Sequence, residues 1–153
     1  MRRRLWNSAG IRFFELDYKK VMRELEEYAK KAVAKGARAV ILIGSLAKGD
    51  YTAFSDADVI IIVKRTPKQP AERIIDFLDP SLSIDLEPRI YTTDEFLKMA
   101  SKGRRLVREA VEHGRLLAGD PGLIEMARVL IEKALASRGG GGSQGSTPGF
   151  PRP

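Results

Sequence analysis

The stretch AVILIGSLAKGDYTAFSDADVIIIV at residues 39–63 leaves few folds open. Two short apolar runs flank a polar loop, and each run has the length of a buried strand. The apolar run of residues 39–43, within a strand expected at 38–43, implies burial on both faces. The loop opens on Gly44-Ser45, and its far end carries Asp56 and Asp58.

Those four residues suggest chemistry. A glycine directly after a strand lets the backbone turn close to a ligand. The amides that follow can face a phosphate, above all if a short helix starts there. The Ser45 hydroxyl adds a donor and Lys48 a nearby positive charge. Neither the Walker spacing nor the G-x-G-x-x-G dinucleotide pattern is present. Asp56 and Asp58 are two apart, so on a strand they share a face, in one row with Ile60 and Ile62. Two carboxylates roughly 6–7 Å apart beside an apolar core repel each other. A divalent cation between them removes that cost. Asp85 and Glu87 offer a third carboxylate from a later strand, again two apart.

The chain has no cysteine and one histidine, His113. Disulfides, thiolate metal sites and histidine-rich zinc sites are excluded. A metal here must be held by oxygen, which points to Mg²⁺ or Mn²⁺. At 153 residues, with 43% hydrophobic and 31% charged content, one globular domain is expected. No apolar run reaches the ~20 residues of a membrane span. The start, MRRRLWNSAG, is basic but lacks the apolar segment of a secretory signal, so a cytoplasmic location is the expectation. The net charge is +7 and the sequence pI about 9.8. The positive residues are interspersed rather than gathered in a block, so a nucleic-acid partner rests on net charge alone. A Lys/Arg/Glu-rich surface is the plainer account.

Taken in order, residues 1–16 form an arm whose Leu5, Trp6, Ile11, Phe13 and Phe14 should pack on the domain, with Arg2 to Arg4 solvated. Asp17 reads as the N-cap of a helix to about Lys35, with Val21, Leu25, Tyr28 and Ala32 as its apolar stripe. Strands follow at 38–43 and 56–63, with a short helix over Leu46 and Ala47 between them. Residues 70–78 suggest a helix with Ile74, Ile75 and Leu78 facing inward. A strand is expected from Leu82 to about Glu87 and again at 89–91, at an edge or bulge because of Pro88. Thr93 reads as the N-cap of helical pattern to about Glu112, broken near Ser101 to Gly103. His113 suits the negative end of that helix. A short RLLA piece precedes a last amphipathic helix to about Ser137. The domain is thus expected over 1–137, with 138–153 a flexible Gly/Ser/Pro-rich tail. Tyr51, in the loop before the aspartates, suits a surface position, with stacking on a base as the sharper alternative.

Gly44-Ser45, ten residues, then Asp56-Ala57-Asp58, between two strands, resembles the nucleotidyltransferases of the DNA polymerase beta superfamily, in particular the minimal nucleotidyltransferase branch. Ala47, Gly49 and Ser55 in the intervening LAKGDYTAFS are similar to that family too, and the resemblance spans about 36–95. It implies an α+β fold, a small mixed β-sheet with helices packed on one face, plus C-terminal helices. It implies that Gly44, Ser45 and Lys48 hold the phosphates of ATP or another nucleoside triphosphate. Asp56 and Asp58 would bind Mg²⁺, and Asp85, in the pattern I-D-L-x-P, would complete the catalytic and metal-binding triad, with Glu87 as the fallback. The activity implied is transfer of a nucleoside monophosphate, AMP by default, to a hydroxyl. The minimal branch often works beside a helical HEPN-like partner protein as the antitoxin of a toxin–antitoxin system. A rival from another class stays open: a partner-binding protein of the same fold whose nucleotide site is vestigial or sensory. Self-association into a homo-oligomer is also left open.

Overall fold

A computed structural model describes residues 2–6 and 12–143, with side chains considered from Leu16 to Gly139. Strands β1 (Arg2–Trp6) and β2 (Arg12–Leu16) pair antiparallel as a small separate sheet. The expected packing of Leu5, Trp6, Ile11, Phe13 and Phe14, and the expected tail from 144 on, lie outside the described residues.

Helix α1 (Tyr18–Ala34) starts where expected, because the Asp17 carboxylate accepts the Lys20 N–H at 3.2 Å. Its buried residues Val21, Met22, Leu25, Tyr28, Ala29 and Ala32 form one stripe at helical spacing. Strand β3 (Ala37–Ile43) leads through α2 (Ser45–Lys48) to β4 (Ala57–Val63). Both strands are buried at every position but the second. After α3 (Pro70–Arg73) and a 3-10 turn at Ile74–Phe77 come β5 (Leu86–Thr92), α4 (Thr93–Ser101) and α5 (Arg105–His113). Strand β6 (Arg115–Gly119) and α6 (Pro121–Ser143) follow.

The main sheet has the order β5-β4-β3-β6. Strands β4 and β5 run parallel; the β3 pairings with β4 and β6 are antiparallel. This is the small mixed sheet of an α+β fold. Alternation sorts its side chains into two cores. Val40, Leu42, Val59 and Ile61 pack against α1. Ala39, Ile41, Ile43, Ile60 and Ile62 pack against Phe96 and Ala100 of α4, Val107, Ala110 and Val111 of α5, and Leu123, Ala127 and Ile131 of α6. So α1 covers one face and the C-terminal helices cover the other.

Several local expectations change. The helix over 70–78 tightens into a 3-10 turn after Arg73, which rotates its inward face. Ile74, Ile75 and Leu78 are exposed, while Arg73 and Phe77 are buried. The buried Arg73 is paired, with its Nη1 2.7 Å from Glu95 Oε1 and its Nη2 3.2 Å from Oε2. The N-cap of α4 is Thr92, one residue before Thr93. Its hydroxyl accepts the Glu95 N–H, and the Glu95 carboxylate accepts the Thr92 N–H. The RLLA piece is part of an edge strand, β6, and α6 runs to Ser143, beyond the expected Ser137. Pro88 does lie on an edge strand, β5.

Candidate active site

Gly44 ends β3 with φ +78° and ψ −158°, a backbone conformation that only glycine adopts freely. The turn starts α2 at Ser45, and the Lys48 N–H returns to the Gly44 carbonyl at 3.1 Å. A Cβ placed on Gly44 would sit 2.6 Å from Asp58 Oδ2. The carboxylate of Asp58 therefore lies directly against the Gly44 backbone. Ile43 is the cross-strand partner of Asp58, which fixes this contact through the sheet register.

Ser45 Oγ donates to Ser55 Oγ at 3.0 Å, and that oxygen accepts the Thr52 N–H at 2.8 Å. Ser55 immediately precedes Asp56, so this bond ties the glycine turn to the acidic end of the loop. Tyr51, from the same loop, stacks on Tyr18 with ring centroids 4.8 Å apart. It is half-buried against the α1 core rather than set out on the surface, so the surface reading gives way.

Asp56, just before β4, and Asp58, its second residue, are both half-buried. In the parallel register with β5, Asp58 stands beside Glu87. Glu87, rather than Asp85, is thus the carboxylate that β5 brings to the pair. Asp85 precedes the strand and is exposed; its carbonyl accepts the Ala57 N–H at 2.8 Å. It lines a surface depression with Leu78, Pro80, Leu82 and Ile84, none of them a site residue. The cause is non-local. The Ser81 N–H turns back onto the Asp79 carboxylate at 3.0 Å, and Ser83 N–H and Oγ bind Glu24 of α1 at 2.7 and 2.6 Å. These bonds tie residues 81–83 to the Asp79 turn and to α1, so contact with β4 begins only at the Asp85 carbonyl and the strand at Leu86.

The acids perturb one another. Burial pushes the Asp58 carboxyl up; Arg89 opposes this, while Asp56 and Glu109 add to it. Hydrogen-bonding contact with Asp56 raises Glu87, as do the charge of Asp58 and some burial, again against Arg89. Glu109 is a fourth acid that the sequence reading has no place for. It reaches in from α5, with Oε2 accepting the Gly44 N–H at 3.1 Å and standing 3.7 Å from Lys48 Nζ. Only a contact across 65 residues reveals it. On its helix it is one more polar residue between the buried Val107 and Ala110.

The donor set fits a hard divalent cation. It is all oxygen and anionic, and it repels itself in a way that a bound cation would relieve. Among the described residues no three acidic or histidine side chains already form a cation cluster. Ligation by Asp56, Asp58 and Glu87 together therefore requires their carboxylates to turn toward one point. A cavity of about 510 Å³ lined by Lys35, Lys64, Arg65, Arg73 and Phe77, among others, lies at the other end of β4 and includes none of these residues. The site is located by residue chemistry, not by cavity volume.

The nucleotidyltransferase domain family matches residues 19–117, and the chain belongs to that family. The bifunctional uridylyltransferase/uridylyl-removing enzyme of Zymomonas mobilis is 27% identical over 106 residues. That match takes in 65% of this chain but 11% of the larger enzyme. Among solved structures, a toxin–antitoxin with AMP-PNP is similar at 20% identity and TM-score 0.46, over 82% of this chain and 89% of that one. A putative nucleotidyltransferase from Sulfolobus solfataricus gives 15% identity and TM-score 0.44, over 65% and 80%. A tri-AMPylated Shewanella oneidensis HEPN toxin in complex with MNT antitoxin gives 14% and 0.43, over 82% and 99%. At these TM-scores the structural likenesses say nothing of this chain's own substrate. Among the described residues no helix is long and apolar enough to cross a membrane.

Proposed function

We propose that this chain transfers a nucleoside monophosphate from a nucleoside triphosphate to a hydroxyl acceptor. The observation that carries the reading is the packing of the Asp58 carboxylate against the Gly44 turn. A phosphate-type turn and an acidic pair in contact suit a bound nucleotide whose charge is neutralised by a cation. Membership of the nucleotidyltransferase domain family supports the same reaction class.

In this reading the Gly44 turn, Ser45 and Lys48 bind the β- and γ-phosphates and stabilise the pyrophosphate as it leaves. Mg²⁺ or Mn²⁺ held by Asp56 and Asp58, with Glu87 beside them, would neutralise phosphate charge and polarise the acceptor hydroxyl. The acceptor oxygen bonds to the α-phosphorus, and the bond from that phosphorus to its bridging oxygen breaks. Glu87, beside Asp58 in the pairing of β4 with β5, would take the hydroxyl proton. We assign Glu87 the role that the resemblance gives to Asp85. The donor is proposed to be ATP and the acceptor a hydroxyl on a separate helical protein, as in the minimal branch. The domain carrying this chemistry is proposed to span residues 1–137.

The test is a label-transfer assay with α-labelled ATP and Mg²⁺, run beside calorimetry. Asp56→Asn and Asp58→Asn should each abolish transfer while the far-UV spectrum stays unchanged. Undiminished metal-dependent transfer by both variants would defeat the proposal. Nucleotide binding with no turnover on the native partner would favour the partner-binding rival.

A further inference from the structure

Glu109 makes contacts that a bound anion could also make. A single oxygen, Oε2, accepts the Gly44 N–H and faces the Lys48 ammonium. These are two of the donors that the nucleotide reading gives to the triphosphate tail. Its helix has no freedom to withdraw, because Val107, Ala110 and Val111 of α5 are buried against the sheet. The side chain itself is 26% exposed, so it can swing clear by rotation alone.

We propose that Glu109 is a tethered stand-in for phosphate, which competes with the triphosphate tail for Gly44 N–H and Lys48 Nζ and so sets nucleotide affinity. The inference rests on reading the Gly44 turn as the phosphate site. A carboxylate accepts the same charge-assisted hydrogen bonds as a phosphate but brings a single negative charge. A polyphosphate brings several and can displace it. Once displaced, Glu109 sits near both the incoming anion and Asp58, and that repulsion weakens binding further. Two other roles would have the opposite sign. A brace for the glycine turn would make loss of Glu109 weaken tripolyphosphate binding, and a cation ligand would make that loss raise KM for ATP in the Mg²⁺ turnover arm.

The experiment titrates tripolyphosphate, in EDTA, into the wild type, Glu109→Ala and Glu109→Gln by calorimetry, with unfolding midpoints recorded in parallel. Freeing a donor pair from a charged hydrogen bond should tighten binding about tenfold in the alanine variant. The glutamine variant should fall between, since its amide oxygen still accepts from Gly44 but no longer attracts Lys48. In turnover with ATP and Mg²⁺, KM should fall more than kcat changes. Equal or weaker binding by Glu109→Ala, or no binding by any of the three, overturns the inference. If the alanine variant does not fold, the glutamine variant decides by the same signs. Tighter tripolyphosphate binding without any label transfer would remove the transferase reading and leave this one standing.

Discussion

Replacing Gly44 by alanine tests the contact at the centre of the site. Two costs are readable from the structure. The first is backbone strain. At φ +78° and ψ −158° a residue with a Cβ is disfavoured by about 1–3 kcal/mol. The second is overlap: the new Cβ would meet Asp58 Oδ2 at 2.6 Å, where ordinary contact begins near 3.4 Å. The Asp58 side chain must rotate away, which costs about 0.5–1.5 kcal/mol if it leaves its rotamer. Against these, alanine restricts the unfolded chain and returns roughly 0.4–1 kcal/mol. The net expectation is destabilisation by about 2 kcal/mol in urea unfolding. Transfer should fall by roughly 100-fold, because the carboxylate is moved by a good part of an ångström. Pairing the change with Asp58→Ala separates the terms. In that background the overlap is gone and only the strain remains, so the cost of Gly44→Ala should shrink by about 1 kcal/mol. A neutral Gly44→Ala, or a cost unchanged by Asp58→Ala, would refute the packing argument.

Three further outcomes are expected. Glu87→Gln should lower kcat at least tenfold while Asp85→Asn leaves it within twofold, measured by steady-state label transfer; the reverse order would return the third acid to Asp85. Glu95→Gln should cost about 2 kcal/mol at neutral pH, between the values for exposed and buried pairs, because Arg73 is buried and Glu95 is 42% exposed. The Arg73 guanidinium holds the Glu95 carboxyl below its usual range despite some burial. The stability it confers is therefore complete above the ordinary glutamate pKa and lost as pH falls through the lowered one, so the gap between wild type and variant should close in acid. Mg²⁺ should raise the unfolding temperature of the wild type at pH 7, and Asp58→Asn should lose most of that rise.

The glycine turn and the Asp56/Asp58 pair are legible because local rules govern them. A strand's end, its alternation and a fixed spacing are all contained in residues 39–63. Helix α1 was legible for the same reason, from the Asp17 cap and a stripe at helical spacing. What failed was decided elsewhere in the chain. Asp85 falls just before the strand, and the segment leading to it is tied down by Glu24, far back on α1, which takes both Ser83 donors. The inward face of 70–78 belongs to Arg73 because Glu95, on a different helix, supplies its counter-charge. No pattern around Ile74 and Ile75 encodes that partner. Strand β6 is a five-residue edge whose three central residues are only half-buried, too weak a pattern to separate from a loop.

The two cores explain how the fold carries four acids in one place. Burying both faces of β3 and β4 makes the centre of the sheet apolar through its full thickness. Charge is tolerated only where the strands run out, and Asp58 occupies the single position of β4 that is not fully covered. The parallel pairing then sets Glu87 beside it in register, while α5, packed on the same face as Ile60 and Ile62, brings Glu109 from above. Within this group Arg89 is the counter-charge felt by both Asp58 and Glu87, two positions along β5 from Glu87. One arginine cannot balance four carboxylates, and Lys48 already faces Glu109. The remaining negative charge is what a bound divalent cation would offset, so the arrangement would give up stability in the cation-free chain that cation binding returns.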